Sequence, residues 1–185
     1  MTKNAAVTVI RFVNLVFAGV FAGFLVAALV VELTLRNYGA SVYVQVRHVE
    51  LAHLDELASA TLLPALVTAV VLTVATFRTR GRERWLTLTA LALLVVVFVT
   101  TLSVNLPINH DQLHWNVQSP PSDWANVRDR WQIAHAVRTV AAVVAFACMS
   151  AGALITRRRT PPDFAAGPLS QAGMRSPAGT PAARS

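Results

Sequence analysis

Cysteine is almost absent. Cys148 is the only one in 185 residues, so no intramolecular disulfide can form and neither CxxC nor CxxCH occurs. Covalent haem attachment of the c type is thereby excluded. Charge is scarce as well: Asp, Glu, Lys and Arg make up 14% of the chain, against about 25% in an ordinary soluble domain. The shortage is greatest for acids, 9 against 16 bases. A net charge of +7 would suit nucleic acid only if the basic residues covered one face of a soluble fold. Here they flank apolar runs, so the expected partner is the lipid bilayer and no nucleic acid.

What is present instead is hydrophobic sequence, 55% of the residues, gathered in blocks long enough to cross a membrane. Four blocks qualify, at about 12–31, 57–77, 85–104 and 136–155. The fold class expected is all-α, a four-helix transmembrane bundle over residues 1–158, with two partly helical outer loops. Residues 159–185, rich in Pro, Gly, Ala and Ser, are expected to form a disordered cytoplasmic tail. The first block is too long for a signal-peptide core of about 7–15 residues and lacks a small-residue cleavage pattern, so it reads as retained. Its Ala18, Gly19, Ala22 and Gly23 repeat small residues four apart, a face for close helix approach or for a homo-oligomer. Pro64 lies near the outer end of the second span, where a local kink is expected. The Arg78–Arg84 connector is short enough to require a tight antiparallel hairpin.

Orientation follows from Lys and Arg. The amino end, the Arg78–Arg84 connector and the carboxyl end together hold 11 of them against 2 acids, while the other two loops with their helix ends hold 5 against 7 acids. The positive-inside rule then puts both termini in the cytoplasm of a multi-pass protein of the cell membrane. All five His residues and Trp115, Trp124 and Trp131 fall on the outer side.

The densest chemistry there is Trp124-x3-Arg128-x2-Trp131-x3-His135-x2-Arg138. At about 100° per residue these five side chains share an arc of roughly 80° on one helix face, with Ser122 or Asp123 as N-cap. Taken singly, the indoles read as interfacial belt residues and the guanidiniums as snorkelling to water. His135 and Arg138 lie inside an apolar span, where such groups usually face the bundle interior. Glu32, at the outer end of the first span, is the expected partner of Arg138. Asn105 and Asn109 flank Pro107, which is expected to end the third span; Asn105 reads either as a helix cap or, with Asn109, as an amide donor to an oxyanion.

Glu50-x-x-His53 and Asp111-x-x-His114 have the carboxylate-imidazole spacing of di-iron bundles, and Glu32 and Glu56 could add oxygens. The second pair follows Pro107 in a segment that need not be helical, so no metal ligands are assigned; a b-type haem between two histidines is a weaker reading still.

The order of features, four spans with Asn105-Leu106-Pro107-Ile108-Asn109 after the third and the Trp124–Arg138 pattern leading into the fourth, resembles the anthrone oxygenase-like integral membrane proteins. The resemblance covers about residues 10–155. It implies oxidation of an anthrone-like hydrophobic aromatic by molecular oxygen, a monooxygenase reaction with no cofactor. It further implies His135 as base, Asn109 or Asn105 with Arg138 holding the enolate oxygen, and Trp124 and Trp131 as apolar walls, with Arg128, Trp115 and Glu32 also in the binding region. Two other classes remain open. A non-enzymatic assembly or transport-associated protein predicts no closed pocket beneath the outer loops, and a metal or haem redox bundle predicts bound metal or a Soret band.

Overall fold

Hydrocarbon offers no water to an unpaired backbone group, so a chain crossing it must satisfy its own donors and acceptors, and a helix does this residue by residue. A computed structural model describes residues 3–77 and 81–159. It contains α1 (Lys3–Leu35), α2 (Ala40–Leu51), α3 (Leu54–Thr76), α4 (Arg82–Thr100), a π-helical turn (Thr101–Asn105), α5 (Leu106–Gln112) and α6 (Trp124–Arg159). Among the described residues four stretches are long and apolar enough to span a membrane: Ala5–Leu35, Leu54–Thr76, Arg82–Gln112 and Trp124–Ile155. The protein is an all-α, multi-pass membrane protein. Residues 160–185, most of the expected tail, and 78–80 of the connector lie outside the described residues.

The bundle closes as a ring in which α1 packs on α3 and α6, and α4 packs on α3 and α6. Its core is small-residue packing: Ala18, Phe21, Ala22 and Leu25 of α1 meet Leu62, Ala65 and Ala69 of α3, Ala90, Leu94 and Val97 of α4, and Ala141, Ala142, Ala145 and Met149 of α6. Valines such as Val71, Val96 and Val140 are left exposed on the outside, as a bilayer requires. Ala18 and Ala22 are spent inside this core, and a Cβ on Gly19 would come within 3.1 Å of Phe146. The small-residue face thus serves helix packing within the chain, with only Gly23 left open.

Polar contacts fasten the ends. At the lower end, beside the Arg78–Arg84 connector, Arg11 of α1 pairs with Glu83 of α4. One turn deeper, Asn14 Nδ2 donates to Ala65 O (2.9 Å) and Thr68 Oγ1 (2.8 Å) of α3. α3 remains helical through Pro64.

The third span does not end at Pro107. Its helix widens into the π turn and continues as α5 to Gln112, with Pro107 in the first turn of that last segment. A proline removes one helical donor and crowds the carbonyl four residues back. A wider turn immediately upstream absorbs both effects, and Asn105 becomes part of a continuous helical rod rather than its cap. α6 starts at Trp124, so the aromatic and basic stripe is continuous with the fourth span, and Val127 N–H bonds to Asp123 O (3.2 Å) at its start. Short α2 lies at the upper end. Its buried Tyr43 and Val44 join Leu35 and Trp115 in a second, smaller core.

Candidate functional site

Directly below α2 the four-helix ring encloses a cavity of about 70 Å³. Asn109, Trp131, His135 and Arg138 all border it, together with Arg47, Asp55, Thr101, Ser59 and Leu106. Three of these come from one face of α6, where residues 131, 135 and 138 stack at helical spacing. Thr101 and Asn109 are brought to the same wall by the π turn and α5.

Arg138 carries a buried charge with no contact ion pair among the described residues. It is 7% exposed, and its guanidinium donates to His135 Nδ1 (2.8 Å) and Thr101 Oγ1 (3.1 Å). No carboxylate pairs with it among the described residues, and its Nε has no partner. The expected Glu32–Arg138 pair is corrected here. Glu32 Oε1 instead accepts from Arg47 Nη1 at 2.9 Å, because α2 lowers Arg47 onto the upper end of α1.

His135 is 1% exposed and its ring is turned into the bundle. A guanidinium can only donate, so Nδ1 is the acceptor of the Arg138 bond. Nε2 faces Leu25 O at 3.0 Å and is therefore the protonated nitrogen. Both ring nitrogens are engaged, and the one lone pair is covered by a cation. This geometry speaks against the expected role of His135 as base. The imidazole stacks on Trp131 with centroids 4.7 Å apart and planes at 10°, and its hydrogen bonds go to Leu25 and Arg138 rather than to Asn109 or Glu32.

Asn109 is the hub of the upper wall. Its Oδ1 accepts from Arg47 Nη2 (2.7 Å) and Trp131 Nε1 (2.6 Å), and its Nδ2 donates to both oxygens of Asp55 (2.9 and 3.1 Å). Asn105 lies behind that wall. It is fully buried, donates to Trp131 O at 3.3 Å, and leaves Oδ1 without a partner, but it does not border the cavity.

Arg47 was not among the residues singled out from the sequence, yet it organises the site. Its Nη1 serves both Glu32 and Glu50 (2.8 Å for the latter), Nε donates to Gln112 Oε1 at 2.9 Å, and the guanidinium lies 4.3 Å from the centre of the Trp131 ring. Gln132 Nε2 adds bonds to Glu32 O (2.7 Å) and Oε2 (3.1 Å). A signal for Arg47 did exist: Tyr43, Val44, Arg47 and Leu51 form the buried stripe of α2 at helical spacing, an arginine on an otherwise apolar face. Tyr43 accepts from Gln112 Nε2 at 3.1 Å. Burial, reinforced by the Glu32 carboxylate, pushes its phenol well above the ordinary value, so it stays neutral. Asp55 was missed because an acid in the first turn of a helix is commonplace.

The upper end of the α6 stripe leaves the cavity. Fourteen residues of helix extend about 21 Å, and α2 covers the first turns. Trp124 packs beside Tyr43 (5.7 Å) under the Arg128 guanidinium (4.9 Å), while Arg128 also pairs with Asp129 (3.0 Å). Trp115 is buried in the same cap and donates to Asp111 at 3.3 Å. Trp124, Arg128 and Trp115 are therefore roof rather than wall, and Glu32 sits one layer behind the wall. Among the described residues no three His, Cys, Asp or Glu side chains converge as a metal site would require. Glu50 is drawn to Arg47, and His48 Nε2 lies 3.1 Å from Gln112 O.

A family model described as anthrone oxygenase matches residues 54–148, just over half of the chain. The match takes in Asp55, Asn105, Asn109, Trp131, His135 and Arg138 and leaves out Glu32 and Arg47. No curated protein and no solved structure matches the chain.

Proposed function

The chain belongs to the anthrone oxygenase family, and we propose that it oxidises an anthrone-like hydrophobic aromatic with molecular oxygen, using no cofactor. The observation that carries this reading is Arg138, a buried guanidinium with no ion-pair partner among the described residues, at the edge of a membrane-embedded cavity. Preorganised positive charge in a water-poor site stabilises an oxyanion far better than it would in water. An anthrone becomes one when its ring methylene loses a proton and the charge moves to the carbonyl oxygen.

The electron-rich carbanion can pass an electron to oxygen and combine with it. Loss of water from the resulting hydroperoxide leaves the quinone. In balance, one ring methylene and one molecule of oxygen give one ring carbonyl and one water. The methylene supplies all the electrons, so no external reductant enters. Asp55 is the better candidate for the base. It borders the cavity, is held by the Asn109 amide, and has lone pairs to spare, whereas the His135 lone pair is covered. His135 becomes a positioning residue that fixes the Arg138 fork, and Trp131 offers the indole face against which a flat ring packs.

Oxygen uptake by purified protein with anthrone in a detergent or lipid mixture tests the reading. Asp55→Asn, which keeps an acceptor for Asn109, is expected to lower uptake by at least about 10²-fold, in the range of a lost general base. His135→Gln is expected to keep a substantial part of it. Full uptake in Asp55→Asn would remove Asp55 from the mechanism, and absence of uptake in the wild type would remove the activity.

The positive-inside distribution supports a cell-membrane topology with both termini in the cytoplasm and the cavity in the outer half. In a Cys148→Ser background, a membrane-impermeant maleimide applied to intact cells is expected to label Asn116→Cys at once and Arg82→Cys only after permeabilisation. Both positions are exposed. The opposite labelling pattern would invert the topology.

A further inference from the structure

The cavity is too small for the substrate that the proposed function assigns to it. Its volume is about 70 Å³, whereas sites enclosing drug-sized ligands run to ~300–1,000 Å³. A planar tricyclic compound fits only if part of it remains outside the chamber, and the exposure of the lining residues indicates where.

Among the residues bordering the cavity, only Ser59 of α3 and Leu106 of α5 are exposed. The chamber therefore opens between these two helices. Lower down, α3 and α4 are joined through the common core that contains Leu62 and Val97. Above Leu62 the α3 face turns to small and polar residues, Ala58, Ser59 and Asp55, and the chain opposite is the π turn and α5. The Asp55–Asn109 hydrogen bonds then bridge α3 and α5 above the gap. This bridge closes the seam toward the aqueous end, so the opening gives onto hydrocarbon. Its flanks are apolar and exposed, with Leu63 at 49%, Leu102 at 50% and Leu106 at 45%.

Resting on the proposed function, we infer that the α3–α5 seam is a lateral portal for a flat aromatic ketone dissolved in the bilayer. The reacting methylene edge enters the chamber past Asp55, and the far ring stays between Ser59 and Leu106. Two consequences follow. The oxyanion reaches Arg138 without the substrate crossing water, and side-chain size at 59 and 106 limits which ring systems are accepted.

The experiment uses nanodiscs carrying wild type, Ser59→Trp, Leu106→Trp and, as control, Val137→Trp, which puts the same ring on a lipid-facing position of α6. Two measurements are made on each: oxygen uptake with anthrone, and binding of a radiolabelled hydroxyanthraquinone dissolved in the lipid. Positions 59 and 106 are exposed, so a larger side chain there does not disturb the core, and each variant is checked for wild-type elution. Ser59→Trp and Leu106→Trp are expected to lower kcat/KM at least about tenfold and to slow hydroxyanthraquinone binding, with Val137→Trp unchanged in both. Portal variants that bind and turn over like wild type would overturn the portal and leave the activity standing. Binding that slows in the portal variants while no protein consumes oxygen would keep the portal and reject the activity. A wild type that binds no hydroxyanthraquinone would reject the portal outright.

Discussion

Replacing Arg138 by methionine is expected to lower anthrone-dependent oxygen uptake by about 10²–10³-fold, the range seen when one preorganised oxyanion donor is removed. The same substitution is expected to leave the folded protein about as resistant to thermal unfolding as the wild type. The two halves of this prediction have separate causes. Arg138 makes no ion pair among the described residues and leaves Nε without a partner, so its charge is compensated only across the cavity, by the Asp55 carboxylate, and is costly to keep buried. Exchanging such a group for an apolar one of similar length is often neutral or stabilising. Opposing this, His135 Nδ1 loses its donor, a penalty of about 1–3 kcal/mol unless water from the cavity replaces it. A residue retained at a cost to the fold is expected where its charge serves chemistry. Arg138→Lys should recover part of the rate, because it restores a cation without the planar fork that holds His135 and Thr101 together. A methionine variant that consumes oxygen within a few-fold of wild type would show that the buried cation is structural.

The contrast between α6 and α2 shows what this sequence makes legible. The Trp131, His135 and Arg138 face of α6 was readable because helical periodicity alone aligns residues at that spacing, and because polar groups in an apolar span must turn inward. The four spans were readable for a similar reason, since hydrocarbon leaves a chain few options. Arg47 was obscured because its burial depends on α2 folding back over the bundle, a tertiary event that an isolated amphipathic dozen residues does not announce. Pro107 misled in the opposite direction. It normally ends a helix, but the π turn before it relocates the irregularity and carries Asn109 into the site. Trp124, Arg128 and Trp115 share the chemistry of the wall residues and lie in the roof only because α2 occupies the space in front of them. Periodicity places a side chain on a face; what that face meets is decided by the rest of the chain.

Arg47→Met is expected to be the most destabilising single substitution in the upper half, by about 3–5 kcal/mol, the cost of leaving a buried ionic partner unpaired. Arg47 is 3% exposed and Glu32 0%, and one guanidinium nitrogen holds both Glu32 and Glu50 at hydrogen-bond distance. Removing it strands two carboxylates under a roof with no other cation paired to them among the described residues, and it also takes donors from Asn109 and Gln112. The measurement is unfolding of the purified protein in mixed detergent micelles, followed by near-ultraviolet circular dichroism of the packed indoles. A second substitution separates charge from shape: Arg47→Met combined with Glu32→Gln removes one of the stranded charges and should restore a large part of the loss. If the double variant is no more stable than the single one, the stabilisation comes instead from the guanidinium packed on Trp131 at 4.3 Å and from its hydrogen bonds. The distinction bears on function because Asn109 Oδ1 is held by Arg47 and Trp131 together, and Asn109 in turn orients Asp55. A single arginine on a short helix above the bundle thus sets the position of the carboxylate proposed as the base, while the family match, over residues 54–148, does not include that arginine.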